Sequence, residues 1–245
     1  MPNVFPALTG EQLKKLQALD TCSVSNAIEQ FDVRLRNEGF LHDVGCLFPN
    51  LPPMLGYAVP AVIRSSMPPM AGRCYYNRID WWRYVLTIPE PRVLVLKDID
   101  HEPGLGAFVG AIHVHIARAL GCVGCVTNGA VRDLPAVEAT GFHLFARQTS
   151  VSHAYAHIVE FGEPVEIGGL AIKPGDVLHG DRHGVHNIPL DIAAAIPETV
   201  ASMLAAEQDL IDYCASPGFT IETLAARLER APLLPHAIAR RTGLE

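Results

Sequence analysis

The chain has 245 residues, 49% of them hydrophobic and 18% charged, with a formal net charge of −7. That length supports one large core, and the acidic balance excludes a nucleic-acid role carried by bulk positive charge. No apolar run is long enough to span a membrane, MPNVFPALTGEQLKK lacks the charged-then-apolar layout of a signal peptide, and six cysteines without small-scaffold spacing fit a reducing cytoplasm.

In chain order, Thr9-Gly10-Glu11-Gln12 fits a capping box before Leu13, Leu16, Ala18 and Leu19, and a second helix is predicted near Ser23. Residues 32–56 read as irregular, with LFPNLPPMLG as a loop. Tyr57 to Arg64 reads as a strand whose Pro60 suits an edge or a bulge. SSMPPMAGRC is predicted as a loop, Asp80 to Leu86 as a helix stopped by Pro89 and Pro91, and Arg92 to Leu96 as a buried strand. DIDHEPGLGAF is a loop with three acids. Gly110 to Leu120 reads as a helix carrying Ile112, Ile116, Ala119 and Leu120 on one side and closed by Gly121. Cys122 to Thr127 is an apolar strand ending in the turn signal Asn128-Gly129. A short helix, Leu134 to Thr140, and a strand, Phe142 to Ala146, complete a β-loop-α-β-loop-α-β layout, which is that of an α/β domain with parallel strands. After Arg147, Gly-Gly, Pro-Gly and His-Gly punctuation predicts a small antiparallel β layer. Pro189 to Ala206 and Ile221 to Arg230, the latter capped by Thr220, read as helices separated by Ser216-Pro217-Gly218.

The stretch that concentrates chemistry is GCVGCVTNGAVRDL, residues 121–134. It sets Arg132 and Asp133 side by side after a strand, where α/β sheets hold ligands. Together with KPGDVLHGDRHGVHNIP, residues 173–189, it resembles the RraA-like family. That family includes 4-hydroxy-4-methyl-2-oxoglutarate aldolases with oxaloacetate decarboxylase activity, and the ribonuclease E inhibitor RraA. The resemblance covers roughly residues 10–195. It implies a β/β/α swivelling-type fold in a single domain spanning 1–245, with added N-terminal helices, a C-terminal helical extension over about 196–245, and assembly as a homotrimer or hexamer.

The resemblance also implies a divalent-metal-dependent carbon–carbon lyase, an aldolase or decarboxylase that cleaves a 2-oxo acid through a metal-bound pyruvate enolate. Asp133 would hold Mg²⁺ or Mn²⁺, and Arg132 would clamp the substrate. Backbone amides at Gly110, Ala111, Ile112 and His113 would bind its carboxylate. Each role has a physical reason. A hard cation that retains waters needs few protein carboxylates, guanidinium matches a carboxylate in a planar fork, and a helix start offers unpaired N–H groups. RraA itself lacks the Asp after the Arg, so Asp133 favours catalysis over the alternatives: a non-catalytic protein-binding regulator, or a metal enzyme of the same fold acting on another carboxylate or amide.

Two positions depart from the aldolase pattern, Ala111 where an acid follows the Gly, and Ala136 three residues beyond the Asp. Asp98, Asp100 or Glu102 are the nearby replacements for the first, and Glu138 lies near the second. The remaining signals read as structural. His153-x₃-His157 and His179-x₃-His183-x₂-His186 have zinc-like spacing, but in the hairpin region Asp181 is expected to bond backbone amides in an Asp-x-His-Gly turn. His113 is expected to face the site and His115 to be an ordinary helix residue. Cys122 and Cys125 read as small buried hydrophobes, and Trp81-Trp82 as packing or subunit contacts.

Overall fold

The computed structural model describes residues 5, 7–69 and 78–230. In chain order these form α1 (Gly10–Gln17), α2 (Thr21–Glu29), β1 (Gly45–Cys46), β2 (Met54–Arg64), α3 (Ile79–Val85), β3 (Arg92–Asp98), β4 (Ala107–Val109), α4 (Ala111–Ala119) and β5 (Cys122–Val131). Then follow α5 (Leu134–Glu138), β6 (His143–Thr149), β7 (His157–Phe161), β8 (Val165–Ile167), β9 (Leu170–Ile172), β10 (Val177–Asp181), β11 (Gly184–Ile188), α6 (Ile196–Cys214) and α7 (Ile221–Arg230). Part of the loop predicted at SSMPPMAGRC, the first residues of the N-terminus and the end of the C-terminal extension lie outside the described residues.

One sheet dominates, in the order β1-β6-β5-β3-β2-β10-β11, with β4 added to β5 and β7 to β2. Its middle strands, β6, β5, β3 and β2, are parallel, so their C-terminal ends open on one rim. The sheet nearly closes. Leu41 N–H donates to Val185 O at 2.9 Å and Leu47 N–H to Leu144 O at 2.9 Å, so residues 41–47 tie β11 to β6. Both faces are buried, and side chains alternate between them. Leu94 and Leu96 join one apolar cluster with Leu55, Val59 and Leu144, while Val93 and Val95 join the other with Ala58, Val126 and the β8–β9 pair.

The capping box forms as predicted: Gln12 N–H donates to Thr9 Oγ1 at 3.2 Å, and Thr9 N–H to Gln12 Oε1 at 2.8 Å. Other expectations are corrected. β2 is an interior strand rather than an edge, and Pro60 fits because of where its missing N–H points. Ala58 and Pro60 address the side that β10 covers up to Tyr57 and β7 covers from Ala61, so Pro60 falls in the gap between two partners. The β10–β11 hairpin extends the main sheet antiparallel to β2, and among the described residues only β8–β9 forms a separate small sheet. α6 starts at Ile196 rather than Pro189 and runs on to Cys214, with Ile196, Val200 and Met203 buried. α4 buries His113, Val114 and Ala117, while Ile112 is 61% exposed.

Asn128-Gly129 is not a turn. β5 continues to Val131, with an irregularity between Thr127 and Ala130. There the Asn128 side chain stands in for a backbone: Oδ1 accepts from Asp98 N–H at 2.7 Å, and Nδ2 donates to Asp98 O at 2.9 Å. Asn128→Ala therefore strands a donor and an acceptor next to β5. We expect a loss of about 1–3 kcal/mol in denaturant unfolding with an unchanged m-value.

Candidate active site

The pairing of β4 with the end of β5 assembles the site. Val109 lies opposite Val131, and Arg132 N–H donates to Val109 O at 2.9 Å, so Gly110 arrives beside Arg132 and Asp133 at the rim of the parallel strands. Gly110 caps α4, and Val114 N–H is the first to close the helical ladder, onto Gly110 O at 3.0 Å. The amides of Ala111, Ile112 and His113 therefore stand outside that ladder, at the positive end of the helix.

Asp133 adopts the left-handed conformation, φ 60° and ψ 34°, which Asp tolerates better than most residues at a cost of about 1–2 kcal/mol. It precedes α5 without capping it. The turn instead throws its carboxylate back onto α4, where Oδ2 accepts from Ala111 N–H at 2.9 Å and Oδ1 accepts from Arg132 Nε at 3.2 Å. The Ala111 amide, with Arg132 beside it, holds this carboxyl below the usual carboxylate range, so it is an anion at neutral pH. Arg132 Nη1 donates to Val151 O at 3.2 Å, which fixes the guanidinium plane. The two side chains are 31% and 37% exposed, accessible to a small ligand yet held by the backbone.

Gly110 has a specific reason to lack a side chain. A Cβ there would sit 2.7 Å from Asp133 Oδ2 and 3.0 Å from Arg132 Cγ, so the carboxylate occupies the space of the missing methyl. Of the residues singled out in the sequence, Gly110, Ala111, Arg132 and Asp133 come together as expected. Ile112 sits in the first turn of α4 with its side chain outward, and its amide lies beside that of Ala111.

The His113 ring does not face the site. It is buried between Trp82 and Phe108, with ring centroids 4.9 and 4.5 Å away, and burial pushes its pKa down to about 3. The spacing of α4 left this open, because His113 lies on the face that Val114 and Ala117 turn inward. His115 is an exposed helix residue, as read from the sequence.

Two of the nearby acids are engaged by the backbone. Asp98 accepts from Asp100 N–H at 3.0 Å and Gly104 N–H at 2.8 Å, and Asp100 accepts from the amides and hydroxyls of Ser65 and Ser66, so both shape the loop before β4. Glu102, Ala136 and Glu138 are exposed. Among the described residues no group of three or more His, Cys, Asp or Glu is placed to hold a metal ion. Cys122 and Cys125 are buried thiols in β5, and Trp81 and Trp82 pack in the core.

Residues 21–186 match the RraA-like family, described as Aldolase/RraA. The chain belongs to the RraA-like family. The family includes aldolases and non-catalytic RraA regulators. Over 84 residues the chain is 37% identical to a Halalkalibacterium halodurans protein that carries the name of a 4-hydroxy-4-methyl-2-oxoglutarate aldolase, covering 34% of this chain and 40% of the relative. The chain spans less than half the length of the curated relatives it matches. Among solved structures, an uncharacterized protein from Pseudomonas syringae pv. tomato superposes with a TM-score of 0.70 at 23% identity, over 92% of this chain and 98% of that one. RraAS2 of Streptomyces coelicolor, described as an unusual member of the RNase ES inhibitor RraA protein family, superposes with a TM-score of 0.66 at 20% identity, over 84% and 98%. These likenesses establish the family fold, and no helix among the described residues is long and apolar enough to cross a membrane.

Proposed function

We propose that this RraA-like protein is a divalent-metal-dependent lyase that cleaves or decarboxylates a 2-oxo acid by way of a pyruvate enolate. It would work in the cytoplasm as a homotrimer or hexamer. The observation that carries the reading is the Asp133 carboxylate, ionised, anchored by one backbone amide and one guanidinium, and still partly open to solvent.

That donor set fits Mg²⁺ or Mn²⁺. A carboxylate offers about four lone-pair sites and two are taken, while such ions keep several waters and do not need a protein cage. Asp133 would hold the ion, and a cation there supplies Lewis-acid stabilisation for negative charge growing on the substrate's keto oxygen. Arg132 clamps the substrate carboxylate. Its Nε and Nη1 are already oriented by Asp133 and Val151, which leaves the outer edge of the fork to the ligand. The Ile112 amide at the start of α4 adds a donor for the same carboxylate. In retro-aldol cleavage the substrate's hydroxyl gives its proton to water as its oxygen forms the new carbonyl, the electrons of the broken carbon–carbon bond pass into the enolate, and the enolate carbon takes a proton back from water. In decarboxylation carbon dioxide leaves with the same result.

The direct test is pyruvate release from oxaloacetate and from 4-hydroxy-4-methyl-2-oxoglutarate with saturating Mg²⁺ or Mn²⁺. No pyruvate from either substrate would remove the assignment. Arg132→Lys keeps the charge but loses the planar fork. We expect KM to rise roughly tenfold or more with a smaller change in kcat, checked by steady-state kinetics on oxaloacetate.

A further inference from the structure

The C-terminal helices take no part in the chemistry above. The first turns of α6 pack on the body, with Ile196, Val200 and Met203 buried and α2 as the main neighbour. The same helical stripe then runs on through Glu207, Leu210, Ile211 and Cys214, where Ile211 is 59% exposed and Cys214 is an exposed thiol. α7 folds back along α6 in the antiparallel sense. Thr220 N–H donates to Tyr213 Oη at 2.9 Å, and further along, Arg227 Nη1 meets Asp209 Oδ2 at 2.6 Å. The Arg227 guanidinium also lies 4.3 Å from the centroid of the Tyr213 ring. Beside these contacts α7 leaves its apolar residues open: Ile221 is 64% and Leu228 44% exposed, and Leu224 is half-buried.

Helical geometry joins the two stripes. Leu210 and Cys214 stand roughly a third of a turn past the Asp209–Tyr213 edge that meets α7, and Ile221 and Leu228 stand a similar step past Arg227. In antiparallel helices both steps fall on the same side, so the hairpin carries one apolar face with Glu207 in it. α7 has 10 residues, and an isolated helix shorter than about 12–15 residues is marginal in water, so it depends on cover along this face. Residues 231–245, APLLPHAIARRTGLE, lie outside the described residues and continue from the end of α7, which is the end of the hairpin nearer the body. They carry Leu233, Leu234 and Ile238, then Arg240 and Arg241. The face from Met203 to Cys214 is roughly 16 Å long, within reach of that segment whether extended or helical.

We propose that the chain's own C-terminal segment, residues 231–245, docks on this face, setting Leu233, Leu234 and Ile238 on the apolar stripe and an arginine beside Glu207. Its apolar residues match the stripe, and its two arginines complement a carboxylate that a second copy of the same face would only double. Tethering adds to this, because a short connection holds the segment at an effective concentration in the millimolar range. The face shares no residue with Gly110, Arg132 or Asp133, and the proposal stands whether or not the lyase reading holds.

The test compares the full wild-type chain with a full chain carrying Leu234→Asp and Ile238→Asp. Two rates are read by mass spectrometry: maleimide labelling of Cys214 and amide hydrogen exchange of α7. Both should rise about tenfold or more in the aspartate variant, since burial of a single Leu or Ile is worth at least that factor, while exchange of β3 stays unchanged. Leu234→Met with Ile238→Val keeps the apolar contact and should leave both rates within about twofold of wild type. Rates equal in the wild type and the aspartate variant would overturn the proposal, leaving the face open or covered by another molecule. A rise shared equally by β3 would overturn it too, because it would report loosening of the whole fold rather than release of a docked segment.

Discussion

Asp133→Asn is expected to lower the proposed metal-dependent pyruvate formation about a thousandfold while the protein stays folded. The size follows from the role proposed: Lewis-acid stabilisation by a bound cation is worth several kcal/mol, and a neutral amide does not hold a hard cation in competition with water. The fold survives because Asn is the same shape, tolerates the left-handed backbone at φ 60°, and can still accept from Ala111 N–H through its amide oxygen. The measurement is kcat on oxaloacetate across a Mn²⁺ titration, with thermal unfolding run beside it. A variant that turns over at the wild-type rate contradicts the role of Asp133, and one that unfolds at a much lower temperature shows a structural role instead.

Gly110→Ala is the second large effect, and it arises from crowding rather than backbone strain. The backbone at Gly110 is extended, φ −144° and ψ −170°, which Ala adopts readily. The added methyl, however, would lie 2.7 Å from Asp133 Oδ2 and 3.0 Å from Arg132 Cγ, so the carboxylate and guanidinium must move together. Displacing reacting groups by about 1 Å costs on the order of a hundredfold in rate. Overpacking here should cost about 1–3 kcal/mol of stability at most, since both displaced side chains are partly exposed. Steady-state kcat/KM for the single variant should therefore fall about a hundredfold. In an Asp133→Asn background the same methyl should add little, because the group it displaces no longer works; full additivity would mean that Gly110 acts elsewhere.

The contrast between Arg132-Asp133 and the residues around them shows how much of the site could be read in advance. Both lie next to each other in sequence, directly after a strong apolar strand, so their placement at the strand rim followed from local pattern. The Ala111 amide followed too, because a helix start exposes its first N–H groups wherever it occurs. What local pattern left open was the direction of each side chain. His113 sits one residue from the exposed Ile112, and only the packing of Trp82 and Phe108 sends its ring into the core. Asp98 and Asp100 looked available as replacement acids, and their capture by Ser65, Ser66, Asp100 N–H and Gly104 N–H depends on the loop meeting the end of β2.

By itself, the order of apolar runs, glycines and caps determined an α/β chain with parallel central strands, helices α1, α2, α3, α4, α5 and α7 close to their observed limits, and the charged pair at the end of β5. Those features are local, set by side-chain period and by the few residues around each end. Tertiary structure alone decided the interior place of β2, the passage of β5 through Asn128-Gly129, and the merging of the β10–β11 hairpin with the main sheet. Each depends on a partner strand distant in sequence. Pro60 is tolerated because two partners leave a gap at its nitrogen, and Asn128 stays in a strand because Asp98 offers both a donor and an acceptor. The same holds for the candidate active site, where β4 pairing with β5 brings Gly110 against Asp133 and makes the absence of a side chain there necessary.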